Sequence, residues 1–293
     1  MTRRMQAVLA GCTTLAVGVL VATWLLRENA LDYPIKRIVR YSFTAQNPTN
    51  LLISNAEFWT YAPVKQTATQ HTANIVTSIP YRAVTDETGN QRLYFDVKNL
   101  PPYASKVITI SAAMDVADHP NHVATAKLNT YLRAEKFIES DDPLIVSAAK
   151  QLRATDPERT ARNIYDWVIK TLKDSGYVTE DRGALYALKH KQGDCTEYMY
   201  LFLALARASG LPARGVAGYA HAGNAVMRAP DYHNWVEVYI NRTWRIVDPQ
   251  AQVYMKNASH YIAMRIITDQ KGQSINSSQR FFAANGDLKV EMN

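Results

Sequence analysis

The sequence predicts an α+β protein: an antiparallel β-sandwich module, then a mixed helix-and-strand module, both behind an N-terminal transmembrane helix. Three observations carry this. Residues 7–26 form an uncharged, mostly apolar run. From about Lys36 to Leu132 apolar residues recur with the period of two that marks strands. After Asp141 that pattern gives way to helical spacing.

An α-helix needs about 20 apolar residues to cross a bilayer, and the run from Ala7 to Leu26 supplies them. A cleavable signal peptide has a shorter apolar core followed by small residues, whereas Trp24, Leu25, Leu26 and Arg27 close this one, so an uncleaved single-pass anchor is expected. Leu9-Ala10-Gly11-Cys12 has the look of a bacterial lipoprotein cleavage box, but the apolar stretch lies mostly after Cys12, and the match is read as chance. Arg3 and Arg4 precede the run and Arg27, Lys36, Arg37 and Arg40 follow it, so charge bias gives no clean orientation. A short cytoplasmic tail is favoured, with the rest of the chain periplasmic or extracellular. Residues 1–30 are assigned to this tail and anchor.

The composition, 47% hydrophobic and 20% charged, is that of a folded chain and not a disordered one. The formal charge is +7, but the basic residues are scattered and form no stripe able to track phosphates, so no nucleic-acid partner is expected.

Residues 31–140 read as the sandwich, an Ig-like module. Val39, Tyr41 and Phe43 alternate, as do Trp59 and Tyr61, then Ile75, Thr77 and Ile79, then Leu93, Phe95 and Val97, then Ile108 and Ile110. Asp86-Glu87-Thr88-Gly89-Asn90 and Pro101-Pro102 supply turns between them. Short strands at regular spacing are the pattern of a sandwich. His119 and His122 flank Pro120 without further ligands at metal-binding spacing and are read as a solvated loop.

Residues 141–270 read as the α+β core, with 271–293 left as a C-terminal segment. Asp142-Pro143 opens a helix that carries Leu144, Ala148 and Leu152 on one face. Asp156-Pro157 opens a second, with Ala161, Ile164, Val168, Thr171 and Leu172 on one face.

The chemistry concentrates further on. With Cys12 in the membrane segment, Cys195 is the one cysteine of the soluble part, and no intramolecular disulfide is expected. Gly193-Asp194-Cys195-Thr196 precedes an apolar helical run from Met199 to Ala206, so Cys195 sits at a helix N-terminus, where partial positive charge favours thiolate over thiol. Gly193 is expected to let the backbone turn tightly just before it. The helix ends at Ser209-Gly210, a strand follows at Gly215–Tyr219, and the glycine- and alanine-rich stretch 220–229 is expected to be loose and to border the site.

His233-Asn234-Trp235-Val236-Glu237-Val238 and Trp244-Arg245-Ile246-Val247-Asp248-Pro249 read as two strands joined at Asn241-Arg242. That register puts Asp248 opposite Trp235 and diagonal to His233 on the same face. A carboxylate there would fix the imidazole tautomer and leave the other ring nitrogen for the thiol. Trp235 and Trp244 are read as hairpin core, Asp194 as ordering the turn before the nucleophile, and His190 and His221 as exposed.

Three blocks carry a resemblance: Gly193-Asp194-Cys195 with the helix ending Leu205-Ala206-Arg207-Ala208-Ser209-Gly210-Leu211-Pro212-Ala213-Arg214; His233 to Val238; and Trp244 to Pro249. Together they resemble the transglutaminase-like core, in that family's order of Cys, His, Asp. The resemblance implies a papain-like fold and a thiol site with Cys195 as nucleophile, His233 as base and Asp248 as orienter. It implies attack on the amide of a peptide or protein substrate, a thioester, and transfer of the acyl group. Water as acceptor gives a peptidase or amidase, which is favoured; a lysine amine gives a cross-linking transglutaminase. The Cys195 amide is the natural first oxyanion donor, with Gln192 and Tyr186 the nearest candidates for the second.

A non-catalytic binding scaffold is the rival from another class, and the intact triad speaks against it. Cys195 and His233 lack companions for a metal site, so no metal and no cofactor are expected. The oligomeric state is left open.

Overall fold

Among the described residues, six strands precede the first full helix: β1 (Ile35–Gln46), β2 (Ile53–Ala62), β3 (Gln70–Thr77), β4 (Arg82–Thr85), β5 (Gln91–Leu100) and β6 (Ser105–Val116). The computed structural model describes residues 31–125, 127–267, 281–283 and 287–293. Residues 7–26, where the membrane anchor is expected, lie outside them. Among the described residues no helix is long and apolar enough to cross a membrane.

β6 pairs with β1 and β3, and β5 with β2 and β4, all antiparallel. The inner faces of both sheets share one apolar cluster that includes Val39, Phe43, Phe58, Phe95 and Ile110. Phe58 packs between Phe43 and Phe95, with ring centroids 5.7 and 5.1 Å away. Trp59 and Tyr61 do mark β2 as a strand, but the face they mark is the opposite one. Trp59 lies against Tyr94 and Arg92, and Arg265 covers Tyr61. Both faces of β2 carry aromatics, so alternation alone leaves the phase undetermined, and pairing of Phe58 with Phe95 sets it.

The helical part follows as α1 (Pro143–Leu152), α2 (Pro157–Thr171), β7 (Lys173–Asp174), α3 (Ala184–His190), β8 (Gln192–Gly193) and α4 (Cys195–Ala208). Asp142 caps α1 by accepting the Leu144 amide, and Asp156 caps α2 by accepting that of Arg159, each with proline in the first turn. α2 buries Ala161, Ile164 and Val168 as its spacing predicts. α1 buries Ile145 and Ala149 instead of the predicted stripe, and Leu144 is 50% exposed. Its apolar face is wide, and packing against α4 selects the centre. α4 is the spine of this half: every residue from Met199 to Ala206 is fully buried.

The remaining strands are β9 (Ala213–Ala220), β10 (Ala225–Val226), β11 (Tyr232–Ile240), β12 (Thr243–Asp248), β13 (Val253–Tyr254), β14 (Tyr261–Ile267), β15 (Phe281–Ala283) and β16 (Lys289–Met292). Five form an antiparallel sheet in the order β13-β12-β11-β9-β14. β15 pairs with β2 and β16 with β1, so the C-terminal strands return to the first two sheets. The backbone of β14 is met by two buried side-chain amides. Gln70 accepts from the Ala263 amide at 2.8 Å and donates to its carbonyl at 3.0 Å, and Asn90 does the same for Ile266 at 2.6 and 2.9 Å. These bonds satisfy an edge that would otherwise be open.

The stretch after β9 is not loose. Ala225 and Val226 pair in parallel with Val39 and Arg40 of β1, Asn224 Oδ1 accepts from the Ile38 amide, and the Met227 amide donates to the Arg40 carbonyl. Its partner lies far back in the chain, so nothing local announces the restraint.

The architecture is thus mixed α/β with antiparallel sheets.

Candidate active site

Asn241 and Arg242, at φ 53° and 64°, form the two-residue turn of the β11–β12 hairpin. Positive φ at both central residues is the geometry that matches strand twist in so short a loop. Ile240 pairs with Thr243 and Val236 with Val247. One step further sets Asp248 level with Trp235 and diagonal to His233. The two side chains meet: His233 Nε2 lies 2.6 Å from Asp248 Oδ2.

Asp248 is fully buried, and its carboxylate is well held. Oδ2 also accepts the Tyr261 hydroxyl at 3.0 Å, and Oδ1 accepts the Ala251 amide at 3.0 Å. A buried carboxylate without such donors would be costly. On the other side of β11, His233 pairs with Gly218 of β9. A Cβ at Gly218 would stand 2.0 Å from the Ile262 carbonyl oxygen and 2.9 Å from the Trp235 ring, so only glycine lets β14 and Trp235 close in behind the imidazole.

Cys195 is the first residue of α4 and a half-buried free thiol. Asp194 caps the helix: its carboxylate accepts the amides of Thr196 and Val178, both at 2.9 Å. Glu197 completes a capping box by accepting the Asp194 amide at 3.2 Å. Gly193 serves this box, and not a tight turn. It has no positive φ, and a Cβ on it would stand 2.2 Å from Glu197 Cβ. The fully buried Glu197 also takes Arg182 at 2.6 Å, binding the segment before α3 to the helix that Cys195 opens.

His233 also interacts with Cys195, and since Nε2 is held by the Asp248 carboxylate, Nδ1 is the nitrogen left for the thiol. Burial alone would lower the imidazole's pKa. The hydrogen bonds and negative charges of Asp248 and Cys195 outweigh it and push the group up to about 10. The arrangement therefore favours a charged imidazolium beside the Cys195 sulfur, a ring with a proton to give.

The structure thus brings all three sequence-nominated residues together. Of the two oxyanion candidates, Gln192 spends its amide on the Tyr186 hydroxyl at 3.3 Å, and Tyr186 also takes Arg182 at 3.1 Å. Asn234 and Tyr261 went unnoticed in the sequence. Asn234 directly follows His233 in β11, where alternation would send it to the opposite face. Tyr261 lies 13 residues beyond Asp248 with no motif around it. Among the described residues, no group of three His, Cys, Asp or Glu could hold a metal ion.

The chain is similar to known proteins in sequence and in fold. Residues 146–249 match the family model of the transglutaminase-like superfamily core. A candidate cysteine protease from Cytophaga hutchinsonii is similar in structure, with a TM-score of 0.56 at 17% identity, over 88% of this chain and 92% of that one. The periplasmic domain of TgpA from Pseudomonas aeruginosa aligns at 17% identity over 73% of this chain and 90% of that one, with a TM-score of 0.39. No curated protein sequence matches. The match spans α4, His233 and Asp248 alike, and the chain therefore carries a domain of the transglutaminase-like superfamily over residues 146–249.

Proposed function

We propose that the protein is a thiol-dependent acyl-transfer enzyme acting on peptide or protein amide bonds, with Cys195 as nucleophile, His233 as general base and acid, and Asp248 as orienter. The observation that carries this is the single chain of contacts from Asp248 Oδ2 through His233 to the Cys195 thiol at the N-terminus of α4.

The Cys195 thiolate attacks the carbonyl carbon of the substrate amide, and negative charge passes to the oxygen. The C–N bond breaks as the His233 imidazolium gives its proton to the departing amine, leaving a thioester. Water then attacks the thioester carbon while His233 takes its proton. The C–S bond breaks, a carboxylic acid departs, and the thiolate and imidazolium are restored. Asp248 keeps the ring in one orientation and stabilises its charged form throughout.

Hydrolysis is preferred to amine transfer because water still reaches the site: Cys195 is half-buried and the His233 side chain keeps 18% exposure. Amine transfer needs a cleft that keeps water from the thioester. Products consisting only of amine adducts would reverse that preference. The catalytic part is placed outside the cytoplasm, behind the apolar run of residues 7–26. Protease accessibility in intact cells checks this.

Alkylation by iodoacetamide across pH tests the chemistry, read at Cys195 by peptide mass spectrometry in the full chain. A labelling midpoint well below that of a free thiol, about 8.5, lost in His233→Ala, is expected. Ordinary or absent reactivity in both proteins overturns the proposal.

A further inference from the structure

Beside the Cys195–His233–Asp248 chain stands a fourth polar group that this chemistry does not call on. Asn234 is 3% exposed, yet it is an amide with four hydrogen-bonding positions. Its Nδ2 donates to Cys195 Sγ at 3.4 Å and to Thr196 Oγ1 at 3.2 Å. Its Oδ1 is buried with no hydrogen-bond partner.

That division is informative. A buried asparagine kept for packing or for strand structure would have its carbonyl satisfied first, because an orphaned buried acceptor is costly. Here the acceptor goes without and both donors are spent on the first two residues of α4. Sulfur is a weak acceptor as a thiol and a strong, charged one as a thiolate. An N–H aimed at Sγ is therefore worth little to the protonated form and much to the ionised one.

We propose that Asn234 is a thiolate-holding residue: its side-chain amide stabilises and aims the Cys195 thiolate, with Thr196 Oγ1 as the second acceptor that fixes the amide. This rests on the reading of Cys195 as the nucleophile and adds to it a second donor that acts on the sulfur. The titratable group set beside Sγ is His233 from β11, while Asp194 precedes Cys195 in the chain. The carboxylate is engaged by the amides of Thr196 and Val178. Asn234 is the neutral donor at the sulfur and has no titration of its own.

The experiment is site-resolved alkylation of Cys195 across pH in the full chain, comparing the parent with Asn234→Ala and Asn234→Asp. Loss of one hydrogen bond to a charged sulfur raises the labelling midpoint by about one pH unit in the alanine variant. The aspartate variant keeps the size, removes the donor and adds a negative charge, and its midpoint rises further. A role confined to folding would lower Tm in both variants and leave the midpoint of the folded protein where it was, and that result overturns the inference. In the parent itself, the Asn234 side-chain amide resonance is expected to move with the midpoint of Cys195 labelling, and a resonance indifferent to that titration overturns the inference without any variant. A low parent midpoint that is unmoved by both substitutions removes Asn234 alone. An ordinary parent midpoint, unchanged by His233→Ala, removes the nucleophile reading and Asn234 with it.

Discussion

The Tyr261 hydroxyl donates to Asp248 Oδ2 at 3.0 Å, and that is the oxygen which holds His233 Nε2 at 2.6 Å. Burial, with the charge of Asp248 adding to it, raises the tyrosine's pKa far above its usual value, so the hydroxyl keeps its proton and remains a donor. The residue comes from β14, beyond the stretch that matches the family. It fixes the carboxylate that holds the imidazole.

Tyr261→Phe should therefore weaken the site without dismantling it. Losing a hydrogen bond to a buried carboxylate costs about 1.5 kcal/mol, which is about tenfold in kcat/KM if it is felt in the transition state. Steady-state kinetics on an amide substrate, with Tm measured alongside, checks this. An unchanged kcat/KM with a lowered Tm would assign Tyr261 to stability alone.

The protonation of His233 should be visible in the stability curve. The imidazole is raised to about 10 in the folded chain and lies near 6.5 when unfolded. A group whose folded pKa is raised adds stability as the cation. That contribution is fully present below about pH 6.5 and disappears as pH climbs through about 10. Tm should fall across that window in the parent and fall less in His233→Ala. Parallel curves for the two proteins would show that the ring is not charged.

Gly193→Ala should disturb Cys195 through its helix cap. The new Cβ would stand 2.2 Å from Glu197 Cβ, so Glu197 must leave its place and release both the Asp194 amide and Arg182. Cap losses of this kind cost about 0.5–2 kcal/mol. A lowered Tm together with slower Cys195 alkylation is expected. Parent-like values in both would show that the site tolerates the shift.

Glu237→Gln should do the reverse, lowering stability and sparing chemistry. Glu237 and Arg214 pair at 2.6 Å with side chains 3% and 8% exposed, and the guanidinium stacks 4.2 Å over the Trp244 ring. Removing one partner of a buried ion pair costs about 3–5 kcal/mol. Denaturant unfolding should register that loss, while Cys195 in the folded fraction should alkylate at the parent's rate. A shifted labelling midpoint would tie the pair to the site after all.

This pair also explains the sequence pattern. Arg214 closes the block after α4 and Glu237 lies in the block of His233, and the two are register partners on β9 and β11. Recognisable blocks thus include residues that hold the blocks together as well as those that face substrate.

What the sequence by itself determined is whatever is encoded locally. The caps Asp142, Asp156 and Asp194 act on amides two or three residues away. The Asn241-Arg242 turn sets the hairpin register, and with it the approach of His233 to Asp248. The α4 N-terminus places Cys195. What only the tertiary structure decided depends on partners distant in the chain. The core faces of β2 and α1 were chosen by what packs on them. The stretch after β9 is held by β1, 186 residues earlier at Asn224 and Ile38. Tyr261 and Asn234 acquire their roles from the atoms they meet, Asp248 Oδ2 and Cys195 Sγ. Capping and hairpin geometry are short-range and show in spacing, whereas a buried polar contact depends on which elements pack together, and spacing does not carry that.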